Sequence, residues 1–256
     1  MKVFLLHRRH LITIAIIVAG TISLAVVVSF TQTLVTVFKP SEKLLPIYRV
    51  YTPEKKLSIS FDAAWGSDKT PKILEILRKY NVKTTFFLVG FWIENYPDMA
   101  KRIVEEGHEI GNHSSTHPKM GGLSEEKIYE ELKRTHDIIK ETTGFEATLF
   151  RPPFGDYSNT LIRAAEKFGY KVIQWDVDSL DWKNFSSRAI ADRVLSRVEN
   201  GSIVLFHNNG AHTPEAVDII LEKLISEGYE IIPISRLLID GEYYIDHRGE
   251  QRPVGK

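Results

Sequence analysis

The stretch LSISFDAAWGSDKTPKILEIL (residues 57–77) joins an apolar, β-prone run to an amphipathic one, and the join falls on a single carboxylate, Asp62. The first run ends in Ala63, Ala64, Trp65 and Gly66, which read as a turn. The second, TPKILEILRKY, brings Ile73, Leu74, Ile76 and Leu77 to one face of a helix. A carboxylate that closes a buried strand is costly unless a partner or a reaction requires it. The unit is therefore strand, functional turn, helix.

Working outward from it, the same unit recurs. Apolar, β-rich segments fall at about 57–62, 83–89, 108–113, 147–151, 170–178, 202–207 and 229–234. Helical patterns lie between most of them. They open on cap residues such as Ser124 and stop at Gly144, Gly169, Gly201 and Gly228. Such alternation predicts an α/β fold with about seven parallel strands, either an open doubly wound sheet or a closed barrel lacking one strand of the usual eight. Asp62, His113, Arg151, Asp178 and His207 lie at or beside the C-terminal ends of five different strands, where a parallel barrel gathers its active site.

The chain has 256 residues, with 33 acidic and 33 basic side chains and no cysteine. The balanced charge argues against a nucleic-acid partner. Without cysteine there are no disulfides, thiolate metal sites or thiol nucleophile. Residues 11–30, LITIAIIVAGTISLAVVVSF, carry no charge over 20 positions, enough to cross a bilayer of about 30 Å. Lys2, Arg8 and Arg9 precede this run and favour a cytoplasmic N-terminus (1–10), with the remainder outside. A cleaved signal peptide is the rival reading, but the run is long for one and lacks a clear small-x-small site. The expected order is an anchor over 11–30, a Pro-containing linker over 31–53, a catalytic domain over 54–240 and a polar, frayed tail over 241–256.

Four further segments carry chemistry. GNHSSTHP holds His113 and His117 four apart in a turn after a strand, a spacing that can bring two imidazoles onto one zinc or related ion. The remaining histidines His108, His136, His212 and His247 read as surface or packing residues. LFRPPFGDYS sets Arg151 at a strand end before a stiff Pro152–Pro153 pair, and the turn that follows can aim the Phe154 or Gly155 N–H at a developing oxyanion. QWDVDSLDWKN mixes Asp176, Asp178 and Asp181 with Trp175 and Trp182, a lining suited to sugars. SIVLFHNNG ends an apolar strand on His207, a general-acid candidate if a carboxylate adjoins it.

Taken in order, SFDAAWG, HSSTH, RPPFG, DSLDW and LFH resemble the five motifs of the NodB-homology polysaccharide deacetylases, carbohydrate esterase family 4, across about residues 55–240. Within that family the FDAAWG form and the short anchor are most similar to the sporulation deacetylases of PdaB type. The resemblance implies a deformed barrel and metal-dependent removal of N-acetyl groups from amino sugars of peptidoglycan or a related polysaccharide. It implies Asp62 as the base for the attacking water, His113 and His117 as metal ligands, and Arg151 as the partner of Asp62. It also implies Asp181 as the group tuning a general acid His207, the Phe154 N–H as an oxyanion donor, and Leu205 as the surface for the acetyl methyl group. Asp178 and Trp182 belong with the substrate. Zinc is the expected ion, with cobalt or another first-row metal as substitutes.

The sequence departs from the family at one position. The usual first motif carries two aspartates, the second a metal ligand, and here the second is Ala63. Asp68 could replace it if the loop folds back, or Asp62 could itself move onto the ion. An impaired glycan-binding or cell-wall assembly protein on the same fold is the alternative function.

Overall fold

The computed structural model describes residues 8–37 and 43–255. It divides into two compact units, Met1–Lys43 and Leu44–Lys256. In the first, helix α1 (Arg8–Val37) runs for 30 residues, so the start of the expected linker is helical. Its stretch Arg8–Val28 has a mean hydropathy of 2.8 and is long and apolar enough to cross a membrane. Side chains such as Leu11, Ile16 and Leu24 are exposed, and the helix is apolar all round, a pattern that suits a membrane span. Lys2 and most of the proposed cytoplasmic segment, together with residues 38–42 of the expected linker, lie outside the described residues.

The second unit contains β1 (Arg49–Val50), β2 (Lys56–Ala63), β3 (Thr85–Leu88), β4 (Glu109–Asn112), β5 (Leu149–Phe150), β6 (Lys171–Val172), β7 (Val177–Asp178), β8 (Ile203–His207), β9 (Glu230–Ile231), β10 (Tyr243–Ile245) and β11 (Glu250–Pro253). Its helices are α2 (Thr70–Lys79), α3 (Gly90–Asn95), α4 (Pro97–Glu105), α5 (Glu125–Thr143), α6 (Asn159–Phe168), α7 (Ser187–Leu195), α8 (Thr213–Ser226) and α9 (Ile234–Leu237). Seven strands pair in the order β6-β5-β4-β3-β2-β8-β7, all parallel, as the deformed half-barrel reading requires. Helix starts follow the sequence logic. Ser124, Ser158 and Ser186 each accept a backbone N–H of the first turn, and Gly144 and Gly169 close α5 and α6 in the left-handed region.

The count of seven arises differently from the sequence expectation. The run 170–178 is two strands at opposite edges of the sheet, β6 and β7. Between them Ile173 bridges Ile47, and the Gln174 N–H donates to the Ile47 carbonyl at 2.7 Å. One apolar run thus spans the open side of the half-barrel. The expected last strand shrinks to β9, which pairs only with the start of β2.

Two boundary expectations need correcting. Residues 44–53 are not free linker, because Ile47 and Val50 are buried and β1 pairs with β11. The tail is not frayed either: β10 and β11 form an antiparallel pair beside β1, and Gln251 is buried. Polar composition hid a hairpin whose side chains work in ion pairs, as Arg252 does with Asp246 at 3.2 Å.

The sheet is covered on its outer side by helices. Phe61 of β2 stacks on Phe86 of β3 with centroids 4.9 Å apart, and Ile73, Leu74 and Leu77 of α2 are fully buried. Burying each such side chain is worth about 1.5–3 kcal/mol. That packing fixes the strands whose ends carry the polar residues.

Candidate active site

The register of the parallel strands brings those ends together. Asp62 of β2 pairs directly with His207 of β8, and Leu205 of β8 pairs with Asp178 of β7. They open into a cavity of about 490 Å³ whose lining includes Asp62, His113, His117, Phe154, Trp182 and His207.

Asp62 and Arg151 form a buried pair. Nη1 of Arg151 donates to Asp62 Oδ1 at 2.7 Å, and Nη2 donates to the Gln174 carbonyl at 3.1 Å. The guanidinium also lies 4.1 Å from the centre of the Phe87 ring. Burial alone would raise the Asp62 pKa, but the charge and hydrogen bond of Arg151, with the nearby His207, outweigh it and hold the carboxyl below its ordinary value. Asp62 is therefore an ionised carboxylate with one oxygen, Oδ2, left to act on the cavity side. That Oδ2 lies 3.4 Å from His113 Nε2.

A second pair sits across the adjacent strand. Asp181 is fully buried, and its Oδ1 faces His207 Nδ1 at 2.8 Å while Oδ2 accepts the His207 backbone N–H at 2.8 Å. The Thr213 hydroxyl also donates to Oδ2, at 2.6 Å. Burial disfavours an imidazolium at His207, yet the hydrogen bond and charge of Asp181 prevail and raise its pKa above the ordinary value. The Asp181 contact fixes the proton on Nδ1, so Nε2–H of the charged ring is free to be given away.

The two imidazoles of HSSTH meet as the spacing predicts, with ring centroids 5.1 Å apart. Burial lowers the pKa of both, and that of His117 falls to about 4 through burial and the neighbouring His113. Both are neutral donors near pH 7. His113 Nδ1 contacts the Arg151 carbonyl at 2.7 Å, which makes it the N–H nitrogen and leaves Nε2 bare. This donor chemistry fits a first-row divalent ion at two ligand positions. Among the described residues, however, no group of three or more His, Cys, Asp or Glu side chains is arranged to hold a metal. Ala63, the position of the family's second aspartate, is fully buried, and Ala64 lines the cavity. Asp68 does not fill the gap: its side chain is 69% exposed and pairs with Lys69 at 3.1 Å.

The remaining sequence-predicted residues divide. Leu205 is buried in the cavity wall, and the exposed Phe154 and Trp182 form its rim. Phe154 has φ of 59°, so the Pro152–Pro153 turn does present its next residue in an unusual left-handed conformation. Asp178 lines the cavity too, but its Oδ1 already accepts the Leu180 N–H at 2.9 Å, which gives it a role in the turn. His108 and His136 lie apart and serve packing and hydrogen bonding, against Phe86 and the Tyr170 hydroxyl respectively.

One residue had no signal in the sequence. Glu131 of α5 accepts the N–H groups of Ser115 and Thr116, both at 2.8 Å, and the Thr116 hydroxyl at 2.7 Å. It holds the whole HSSTH turn, in which Ser114 and His117 have positive φ. On a helix crowded with acids nothing marks it out; only the fold shows which carboxylate points at the turn.

Known proteins share this sequence pattern and fold. Residues 49–173 match the polysaccharide deacetylase family profile. The chain is 34% identical over 219 residues to the peptidoglycan-N-acetylglucosamine deacetylase PgdA of Listeria monocytogenes, covering 86% of this chain but only 44% of that protein. A Bacillus anthracis protein described as a family 4 pseudoenzyme superposes with a TM-score of 0.73 at 38% identity, over 75% of this chain and 68% of that one. A mutant of the same protein with restored enzymatic activity is 39% identical, with the same TM-score of 0.73, and this chain covers 70% of it. A family 4 acetyl xylan esterase of Clostridium thermocellum, solved with a cobalt ion, superposes with a TM-score of 0.67 at 32% identity, over 72% of this chain and 90% of that one. With motifs, fold and relatives in agreement, the chain belongs to the polysaccharide deacetylase family, carbohydrate esterase family 4.

Proposed function

We propose that the protein removes N-acetyl groups from amino sugars of peptidoglycan or a related polysaccharide, outside a membrane in which α1 anchors it. The observation that carries this reading is the pairing of Asp62 with His207 on adjacent strands, each with its own charge partner, beside two neutral imidazoles. A pure binding module has no use for an ionised base and a proton-holding acid facing one cavity. The PdaB-like first motif makes the spore cell wall the proposed setting.

In the reaction, Asp62 takes a proton from the attacking water as the new C–O bond forms at the acetyl carbon. His113 and His117 would hold a divalent ion, zinc in the first place, whose Lewis acidity would lower the pKa of water and polarise the carbonyl. The Phe154 N–H donates to the developing oxyanion, and Leu205 packs against the methyl group. His207 gives its Nε2 proton to the nitrogen as the C–N bond breaks, releasing acetate and the free amine. Arg151 keeps Asp62 charged and oriented, and Asp181 does the same for His207. Trp182 and Asp178 take the sugar face and its hydroxyls.

A second reading is a glycan-binding protein without turnover. The missing third ligand favours it, as does the likeness to a protein described as a pseudoenzyme. Acetate release by the full chain in detergent, on N-acetylglucosamine oligomers and on purified peptidoglycan, separates the two. Release restored by zinc or cobalt after chelation, and lost in His207→Ala, supports the hydrolase. Glycan pull-down without any release supports the binder.

A further inference from the structure

The two imidazoles are held in different ways. A ligating histidine ordinarily anchors its second ring nitrogen on a carbonyl or carboxylate, which fixes tautomer and orientation. His113 does so through the Arg151 carbonyl at 2.7 Å. His117 does not: its Nδ1 is buried and has no hydrogen-bond partner. Its ring instead sits among aromatic groups, 4.9 Å from Trp65, 4.6 Å from Phe154 and 5.1 Å from His113, all in edge-to-face geometry. Those separations lie within the range where aromatic pairs attract.

Trp65 is itself fixed through the backbone that follows it. The Gly66 carbonyl accepts Trp92 Nε1–H at 2.7 Å and Asn208 Nδ2–H at 2.8 Å. Gly66 has φ of +63°, a conformation that a residue with a Cβ adopts only under strain. Phe91 lies on the Trp65 ring at 6.4 Å. The turn after Asp62 thus delivers the indole ring to His117.

We propose that Trp65 is the positioning residue of His117, holding by ring contact the imidazole that no hydrogen bond holds. The inference rests on the reading of His113 and His117 as metal donors. It places in the first motif a residue that acts on the metal site without ligating.

The test uses the full chain in detergent micelles, stripped with chelator and titrated with cobalt, with binding read from the visible absorption of the ion. Trp65→Ala should weaken cobalt binding about tenfold or more, the effect of losing an orienting partner. Trp65→Phe, which keeps a ring edge, should stay close to wild type. In the metal-free protein, histidine-selective ¹⁵N spectra should show the His117 ring signals broadened or multiplied in Trp65→Ala only. Equal cobalt affinity in wild type and a folded Trp65→Ala overturns the proposal while leaving the metal reading intact. Equal affinity in wild type and His117→Ala, or none in either, overturns both.

Discussion

In one set of side chains Arg151 meets Asp62 at 2.7 Å and Asp181 meets His207 at 2.8 Å, with the guanidinium also donating to the Gln174 carbonyl and Asp181 also accepting the Thr213 hydroxyl. In the other set, beside Asp62 and Arg151, His113 has a single backbone carbonyl and His117 has ring neighbours. The first set has its charges paired, as the proposed proton transfers require. The second offers two neutral donors on a turn tied down by Glu131. Ala63 in place of the family's second aspartate therefore takes a donor from the second set and leaves the pairs of the first intact. The acid–base pairs depend on each other and on burial, not on the ion, so their geometry can persist while metal affinity falls.

The largest effect should come from breaking a charge pair. Arg151→Ala leaves Asp62 ionisable, buried and without its cation, and truncating one partner of a buried pair typically costs about 3–5 kcal/mol. Chemical denaturation should register that loss, along with inactivity. A stability change near zero would mean the pair is more hydrated than its burial indicates.

Next comes the division of labour at Asp62. Asp62→Asn should lower turnover about 10²–10⁴-fold, the usual contribution of a general base, while cobalt affinity stays unchanged. If affinity falls as well, Oδ2 has become a ligand and the two sets share a residue.

Asp181→Asn should move the alkaline limb of the rate profile. His207 is active as an acid only while protonated, so activity is present below its raised pKa and lost as pH rises through it. Without the Asp181 charge and hydrogen bond, burial is opposed only by the weaker effects of Asp62 and Asp178, and the limb should shift to lower pH. The same sign holds for stability. The contribution of the ion pair is full below the unfolded-state pKa of about 6.5 and disappears as pH rises through the folded value. An unmoved limb would remove His207 as the titrating acid.

How much of this was legible beforehand depends on the kind of residue. Strand-end polar residues were readable, because parallel strands must end on one face and Asp62, Arg151 and His207 each close an apolar run, while His113 stands in the paired HSSTH motif. Contacts that depend on register, such as Asp62 beside His207, became visible only with the sheet order. Glu131 was illegible, since a helix surface full of acids gives no reason to choose one. The 170–178 run misled because both of its halves are apolar, and crossing from one sheet edge to the other leaves no mark in hydropathy. The C-terminal hairpin misled for the opposite reason, its polar side chains being satisfied by one another.

The smallest effect sharpens the comparison from the other side. Asp68 follows the turn at Gly66, close enough in sequence to suggest a replacement for the lost ligand. Its side chain is 69% exposed and engaged with Lys69, and an exposed pair of this kind is worth little. Asp68→Asn should leave fold, cobalt affinity and turnover as they are. A fall in affinity would require the Gly66–Lys69 segment to close over His113 and His117, carrying a third carboxylate with it. That movement would have to break the two hydrogen bonds on the Gly66 carbonyl, from Trp92 and Asn208. The bonds that bring Trp65 against His117 are thus the same ones that keep Asp68 away.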